Sequence, residues 1–311
     1  MAVNNEDRLI WLGGSILPVK DAKINVLSPT SQFGANVFEG IRCYWNEEEK
    51  ELYAFRLKEH YDRLMNSIKI FKMDNPFSRE EMQKALVDVV RANGYREDIA
   101  VRQTVFIDGF GTWSSPGPVN MFVAPVAKGR KEVSTEGGLN CCISSWERIS
   151  EKNLSPRVKV GANYINSRMA QMQALESGFD SAIFMNYQGK VSEGPGSCLF
   201  MIRDGKLITP PCTASVLESI TRKTVIELAG EELGVEVVER EIDRTELYIC
   251  DGAFLCGSAM EVHKIARVDH YKIGNSESDE LIRKLHVLYL RVVSGQEEKY
   301  KSWLTPVYEG K

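Results

Sequence analysis

The chain has 311 residues, 43% apolar and 26% charged, with a formal net charge of −4. That length exceeds the usual single core, so two domains or one large α/β unit is the starting expectation. The mild acidity offers no basic field for a phosphate backbone or an anionic membrane surface, which excludes nucleic acid and membrane as expected partners.

Met1 to Asp7 is polar and acidic, without the apolar core of a signal peptide, and no apolar run approaches bilayer length. A cytoplasmic location is expected. The seven cysteines are odd in number and sit mostly in apolar runs such as Leu139-Asn-Cys-Cys-Ile143. The four histidines show no ligand spacing with them, so free buried thiols and no metal are expected.

In chain order, Leu9–Leu12 and Ser15–Pro18 around Gly13-Gly14 read as a hairpin, with Asp21–Val26 continuing the sheet. Gly34–Arg42 mixes glycines with apolar residues, as in a bulged strand or where backbone passes close to something bulky. Residues 56–70 carry an apolar stripe at 57, 61, 64, 65 and 68, a helical period that leaves Arg63 off the stripe. Ser78 caps a second helix, with Glu80 and Glu81 in its first turn and Gly94 past its end. Two strands, 99–107 and 120–125, flank the Gly/Pro/Ser-rich loop 109–118.

Residues 126–138 lack apolar periodicity and carry Lys128-Gly-Arg-Lys131, read as a solvated basic loop between domains. The expected division is therefore a small domain 1–125, an interdomain loop 126–138 and a large domain 139–311. The large domain reads as strands 141–146, 181–186, 197–202, 206–209 and 252–258. Helices are expected at 165–176, 219–233 and 279–294, with a helical turn at 245–250. Asn/Asp/Gly turns at 187–189 and 203–205 predict a largely antiparallel sheet.

Two stretches stand out chemically. Pro156-Arg-Val-Lys159-Val-Gly-Ala-Asn-Tyr164 sets a lysine in a small, apolar run just before a helix, and Val191-Ser-Glu193-Gly-Pro-Gly196 wedges an acid between a strand and a turn. Burying either charge is costly unless it is paired or used. By spacing alone Lys159 fits a salt-bridged lysine at a core edge better than a nucleophile whose amine is kept neutral by its surroundings.

These motifs, with Phe38-Glu-Gly-Ile-Arg42 and Ser219-Ile-Thr-Arg222, occur in the order found in the branched-chain aminotransferase group of fold-type IV pyridoxal-phosphate enzymes. The chain resembles that group from about Trp11 to Trp303. The resemblance implies a two-domain α/β (α+β) fold with mixed, largely antiparallel sheets flanked by helices, pyridoxal 5′-phosphate as cofactor, and a homodimer. It makes Lys159 the Schiff-base lysine and Glu193 the partner of the cofactor's ring nitrogen. Tyr164 becomes the partner of the ring hydroxyl. Arg63, Ser219, Ile220, Thr221, Gly257 and Ser258 become the phosphate cradle. Phe33, Phe38, Gly40, Arg42, Ala100, Arg102, Val126, Gly129, Ala259 and Met260 become the substrate surroundings, with Arg102 receiving the side-chain carboxylate of glutamate. The implied reaction moves an amino group from a small-molecule amino donor to a 2-oxo acid such as 2-oxoglutarate.

The chain departs from the group at several positions. Glu218-Ser219 replaces Pro-Gly before Ile-Thr-Arg, and a carboxylate there weakens phosphate binding unless it turns outward. Ser197-Cys198 replaces Glu-Asn, and Asn275–Ser278 replaces a Gly-Pro-Ile-Thr segment. Ala100, Val126, Gly129 and Phe33 stand where the group places aromatic rings or hydroxyls, unless Phe110 or Trp113 refills that space. Two other readings remain: a lyase of the aminodeoxychorismate type, against which Phe38–Arg42 counts, and a cofactor-binding scaffold without turnover, against which Lys159 and Glu193 count.

Overall fold

The computed structural model describes residues 7–133 and 137–308; the rest of the 126–138 loop call, at 134–136, and the N-terminal call at 1–6 lie outside the described residues. In chain order the elements are β1 (Leu9–Leu12), β2 (Ser15–Pro18), α1 (Pro29–Phe33), β3 (Asn36–Asn46), β4 (Glu51–Phe55), α2 (Leu57–Ile70), α3 (Arg79–Asn93), β5 (Ile99–Ile107) and β6 (Val119–Ala127). There follow β7 (Leu139–Glu147), α4 (Tyr164–Glu176), β8 (Ser181–Met185), β9 (Cys198–Arg203), β10 (Lys206–Thr209), α5 (Ile220–Glu231) and β11 (Val237–Glu239). The last are β12 (Gly252–Gly257), β13 (Glu261–Val268), β14 (Tyr271–Lys272), α6 (Ser276–Val293) and β15 (Leu304–Pro306).

Backbone proximity groups the chain into two compact units. One holds Met1–Arg130, Val158–Ala162 and Val292–Lys311; the other holds Lys131–Arg157 and Asn163–Arg291. The division read from sequence instead assigned everything after residue 138 to one domain. The difference arises because Val160 bridges Val37 and the Lys159 carbonyl accepts the Phe38 amide at 3.0 Å, which ties the lysine segment to β3. At the other end, β15 pairs with β4.

The first unit is a seven-stranded sheet in the order β15-β4-β3-β5-β6-β1-β2, antiparallel at every pair. Side chains alternate across a strand, so Val37, Ile41 and Cys43 face a core that includes Leu64 and Ile68 of α2 and Met82, Leu86 and Val89 of α3. Burying one such Leu or Ile contributes about 1.5–3 kcal/mol. The stripe predicted on 57–68 is thus the buried face of α2. Ser78 caps α3 in a reciprocal box with Glu81, and Gly94 closes it in the left-handed conformation. Gly13 and Gly14 both have positive φ, as the two-residue hairpin turn requires.

Three local expectations are corrected. Asp21–Val26 is not a strand, because a 3-10 turn at Val19–Asp21 and the Asn25 side chain bonding the Leu27 amide bend the chain toward Ser28, which caps α1. β3 carries no bulge: its register with β5 runs unbroken from Asn36 to Cys43. The Lys128–Lys131 cluster is not simply solvated, since Arg130 grips Asp98 with Nε and Nη2 at 2.6 and 2.7 Å.

The second unit is an eight-stranded mixed sheet, β11-β10-β9-β12-β13-β7-β8, with β14 on the side of β13. Its central pairs β10–β9, β9–β12 and β12–β13 are antiparallel, while β13–β7, β7–β8 and β10–β11 are parallel. Asp204 and Gly205, both at positive φ, make the β9–β10 hairpin turn that the sequence announces. α1, β4, β11, β13, β14 and β15 were not anticipated, and α6 begins three residues earlier than its predicted start. All seven cysteines are free, and burial pushes their thiols up, Cys256 to about 12.

Candidate active site

In the first unit, the β3–β5–β6 register builds a face. Phe38 lies opposite Thr104, Gly40 opposite Arg102, and Arg42 opposite Ala100; Arg102 and Ala100 in turn lie opposite Ala124 and Val126. Directly opposed residues share a face of the pleat, so six residues singled out from the sequence meet there. The Arg102 guanidinium stacks on the Phe38 ring at 3.9 Å, and Lys159 Nζ lies 5.0 Å from the centre of that ring. Both contacts orient cations on the ring's negative face. The Lys159 amide donates to Ser67 Oγ at 3.2 Å, one helical turn beyond Arg63 on α2. Arg42 Nη2 donates to the Gly129 carbonyl at 3.2 Å.

The opposite face of β3 holds a residue that the sequence reading passed over. Glu39 is fully buried; its Oε1 accepts Arg63 Nε at 2.8 Å, and its Oε2 accepts Arg63 Nη2 at 2.6 Å and meets His60 Nδ1 at 2.7 Å. Burial alone would push Glu39 up, but the Arg63 guanidinium and His60 carry its carboxyl well below the usual carboxylate range. Burial in turn holds His60 below its ordinary value, against the pull of Glu39. The available signal was the alternation of β3, which sends Glu39 inward toward the α2 helix.

In the second unit, residues 184–193 form a hairpin arm: the Phe184 amide donates to the Glu193 carbonyl and Ser192 donates back, each at 2.8 Å. The arm presents Glu193, which is buried. Its Oε1 accepts Arg148 Nε at 2.9 Å, and its Oε2 accepts the Leu217 amide at 3.2 Å. Ser219 caps α5, its hydroxyl accepting the Arg222 amide, which leaves Ile220 and Thr221 in the first turn of that helix. Glu218 turns outward to Arg157 Nε at 2.9 Å, with its side chain about half exposed.

The turn 257–260 is closed by the Met260 amide on the Gly257 carbonyl at 3.1 Å and contains Ser258 and Ala259. Gly257 relieves crowding there, since a Cβ would stand 3.2 Å from the Gly196 carbonyl oxygen. Tyr164 opens α4, half-buried. Phe33, at the end of α1, is about half exposed.

Residues 36–268 match the amino-transferase class IV family. The chain is a class IV aminotransferase. It is 39% identical over 300 residues to a probable branched-chain-amino-acid aminotransferase of Aquifex aeolicus, covering 95% of this chain and 96% of that one. Among solved structures it resembles the branched-chain amino acid aminotransferase of Thermobaculum terrenum in its PLP form, at 41% identity and a TM-score of 0.92 over 98% and 99% of the chains. It also resembles the T.th. branched-chain amino acid aminotransferase complexed with N-(5′-phosphopyridoxyl)-L-glutamate, at 36% identity and a TM-score of 0.89 over 98% and 100%.

The aminotransferase is therefore a pyridoxal-phosphate enzyme, and its residues suit that group. The first unit offers the Lys159 amine; the second offers the buried Glu193 carboxylate, the amide donors of the first turn of α5 and, where Gly196 and Gly257 approach, a backbone surface free of side chain. Among the described residues no helix is long and apolar enough to cross a membrane, and no cluster of side chains has the makings of a metal site.

Proposed function

We propose that this aminotransferase moves the amino group of an aliphatic or bulkier α-amino acid to a 2-oxo acid, with glutamate and 2-oxoglutarate as one donor–acceptor pair. The observation that carries the reading is Lys159 Nζ over Phe38, on the sheet face that also carries Arg102. Arg102 is the cation suited to a distant carboxylate such as that of glutamate, and the T.th. relative is solved with a glutamate adduct of the cofactor.

When bound, the cofactor supplies an aldehyde for amines and a ring that accepts the electron pair released at the α-carbon. Lys159 would hold it through its Nζ amine and would take and return the proton of the α-carbon. Arg63 of the first unit, and in the second the Ile220 and Thr221 amides and the Ser219 and Ser258 groups, would hold the phosphate. Glu193 would favour a protonated ring nitrogen, and Tyr164 would hydrogen-bond the ring hydroxyl. The amides of Ser258, Ala259 and Met260 would hold the α-carboxylate.

The donor pocket is wider than leucine, isoleucine or valine needs. A Cβ at Gly40 or at Gly129 would meet nothing within 4 Å, and Ala100 and Val126 add little volume. Phe110 and Trp113 are exposed. Each methylene left unburied weakens binding by about 0.8 kcal/mol, about fourfold. A second copy of the chain is the proposed cover for the exposed apolar stripe Ile165, Met169 and Met172 along α4.

A panel of amino donors against 2-oxoglutarate tests the reading. Aryl or elongated donors are expected to match or exceed leucine and valine in kcat/KM. Best activity on the branched-chain trio would overturn the wide pocket, and release of ammonia or pyruvate from a single substrate without an acceptor would overturn transamination itself. Light scattering of wild type and Met169→Glu tests the second copy: a dimer that the substitution splits is expected, and a wild-type monomer would refute it.

A further inference from the structure

Glu193 is not a lone acid. Arg148, at the end of β7, is buried, and its Nε meets Glu193 Oε1 at 2.9 Å. The guanidinium is itself held in place. Its Nη1 donates to Asn166 Oδ1 at 3.2 Å, while Asn166 Nδ2 donates to the Glu147 carbonyl at 2.9 Å. The Arg148 amide donates to the Met185 carbonyl, and the guanidinium stands 5.5 Å from the centre of the Phe184 ring. On the other carboxylate oxygen the Leu217 amide donates at 3.2 Å, with Cys198 Sγ at 3.8 Å.

We propose that Arg148 is a positioning residue that acts through Glu193, fixing the carboxylate as an anion so that the proton shared with the cofactor's ring nitrogen rests on the nitrogen. The proposal rests on the assignment of Glu193 to that nitrogen made above. Two arrangements of one proton compete: a carboxylic acid against an uncharged ring, or a carboxylate against a protonated ring. Burial favours the first, because desolvation penalises the charged carboxylate. A buried guanidinium within hydrogen-bond distance reverses that preference, since it stabilises only the anion. Only the second arrangement makes the ring a strong acceptor of the α-carbon's electron pair.

The test is the ring-nitrogen chemical shift of the holoenzyme reconstituted with 15N-labelled pyridoxal phosphate, in wild type, R148K, R148M and R148Q. Wild type and R148K are expected to show a protonated ring nitrogen. R148M and R148Q are expected to show an unprotonated one, with kcat down about tenfold or more, the worth of one pKa unit, and KM within about twofold. Borohydride is still expected to fix the cofactor to Lys159 in all four, so loss of that adduct in wild type would strike the functional reading rather than this one. A protonated nitrogen in R148M would overturn the proposal, as would a kcat loss with an unchanged shift, which marks a purely structural role. Should R148M fail to fold, R148Q, which keeps donors without the charge, decides by the same two criteria.

Discussion

Replacing Glu39 with Gln keeps the shape of a wholly buried side chain and removes its charge, leaving Arg63, only 11% exposed, and buried His60 without their anion. Three contacts between 2.6 and 2.8 Å converge on this carboxylate, so little solvent screening is available to soften the loss. Breaking a buried ion pair from one side costs about 3–5 kcal/mol, and that is the expected drop in unfolding free energy near neutral pH. The sign of the pH dependence follows from a folded carboxyl that titrates below its ordinary value of 4.5. Its contribution is fully present above that value and is lost as pH falls through and below it. Urea unfolding of the cofactor-free protein at several pH values reads both quantities without a contribution from ligand binding. The gap between wild type and variant should therefore shrink as pH falls below about 4.5. A variant within about 1 kcal/mol of wild type at pH 7, or a gap that does not change with pH, would refute the reasoning.

Arg63→Ala and Glu193→Ala should fail differently. The first strips buried Glu39 of its guanidinium and so lowers stability as well as cofactor retention, the latter by up to about 3 kcal/mol, and excess cofactor restores activity in part; the second keeps the lysine adduct yet slows α-proton removal, and restoration by cofactor alone would contradict it. Gly257→Ala should weaken cofactor binding, read by fluorescence titration, because its Cβ would crowd the Gly196 carbonyl; unchanged affinity would contradict the close-approach argument. Burial first, and then neighbouring His263, bring the buried His286 imidazole down to about 4 from 6.5. The unfolded chain therefore binds the proton more readily, and stability is lost as pH falls from 6.5 toward 4. His286→Phe should flatten that part of the stability profile, by at most about 3 kcal/mol, and an unaltered profile would contradict it.

The helices were legible because their signals are local: the stripe on residues 57–68, the Ser78 box with Gly94 and the Ser219 cap each state their own ends. The hairpin turns at Gly13-Gly14 and Asp204-Gly205 were legible for the same reason. β13 escaped notice because Glu261 and His263 interrupt its apolar pattern, and its pairing with β12 and β7 is a tertiary fact. The membership of Val158–Ala162 in the first unit likewise depends on the bridge to Val37, which no local period encodes. For the proposed site, motif order supplied Lys159, Glu193 and the α5 cap, but not the partners that hold charges in place. Glu39 lay inside a quoted motif and Arg148 outside any, and both are defined only once the strands are folded.

The central claim is that Lys159 is the residue that carries the cofactor in a transamination. Borohydride reduction of the holoenzyme followed by peptide mass mapping tests it most directly. The account predicts a single cofactor adduct on the peptide containing Lys159, absent from Lys159→Ala and absent from wild type converted by excess amino donor before reduction. An adduct on another lysine, or one that survives the amino donor, would contradict it.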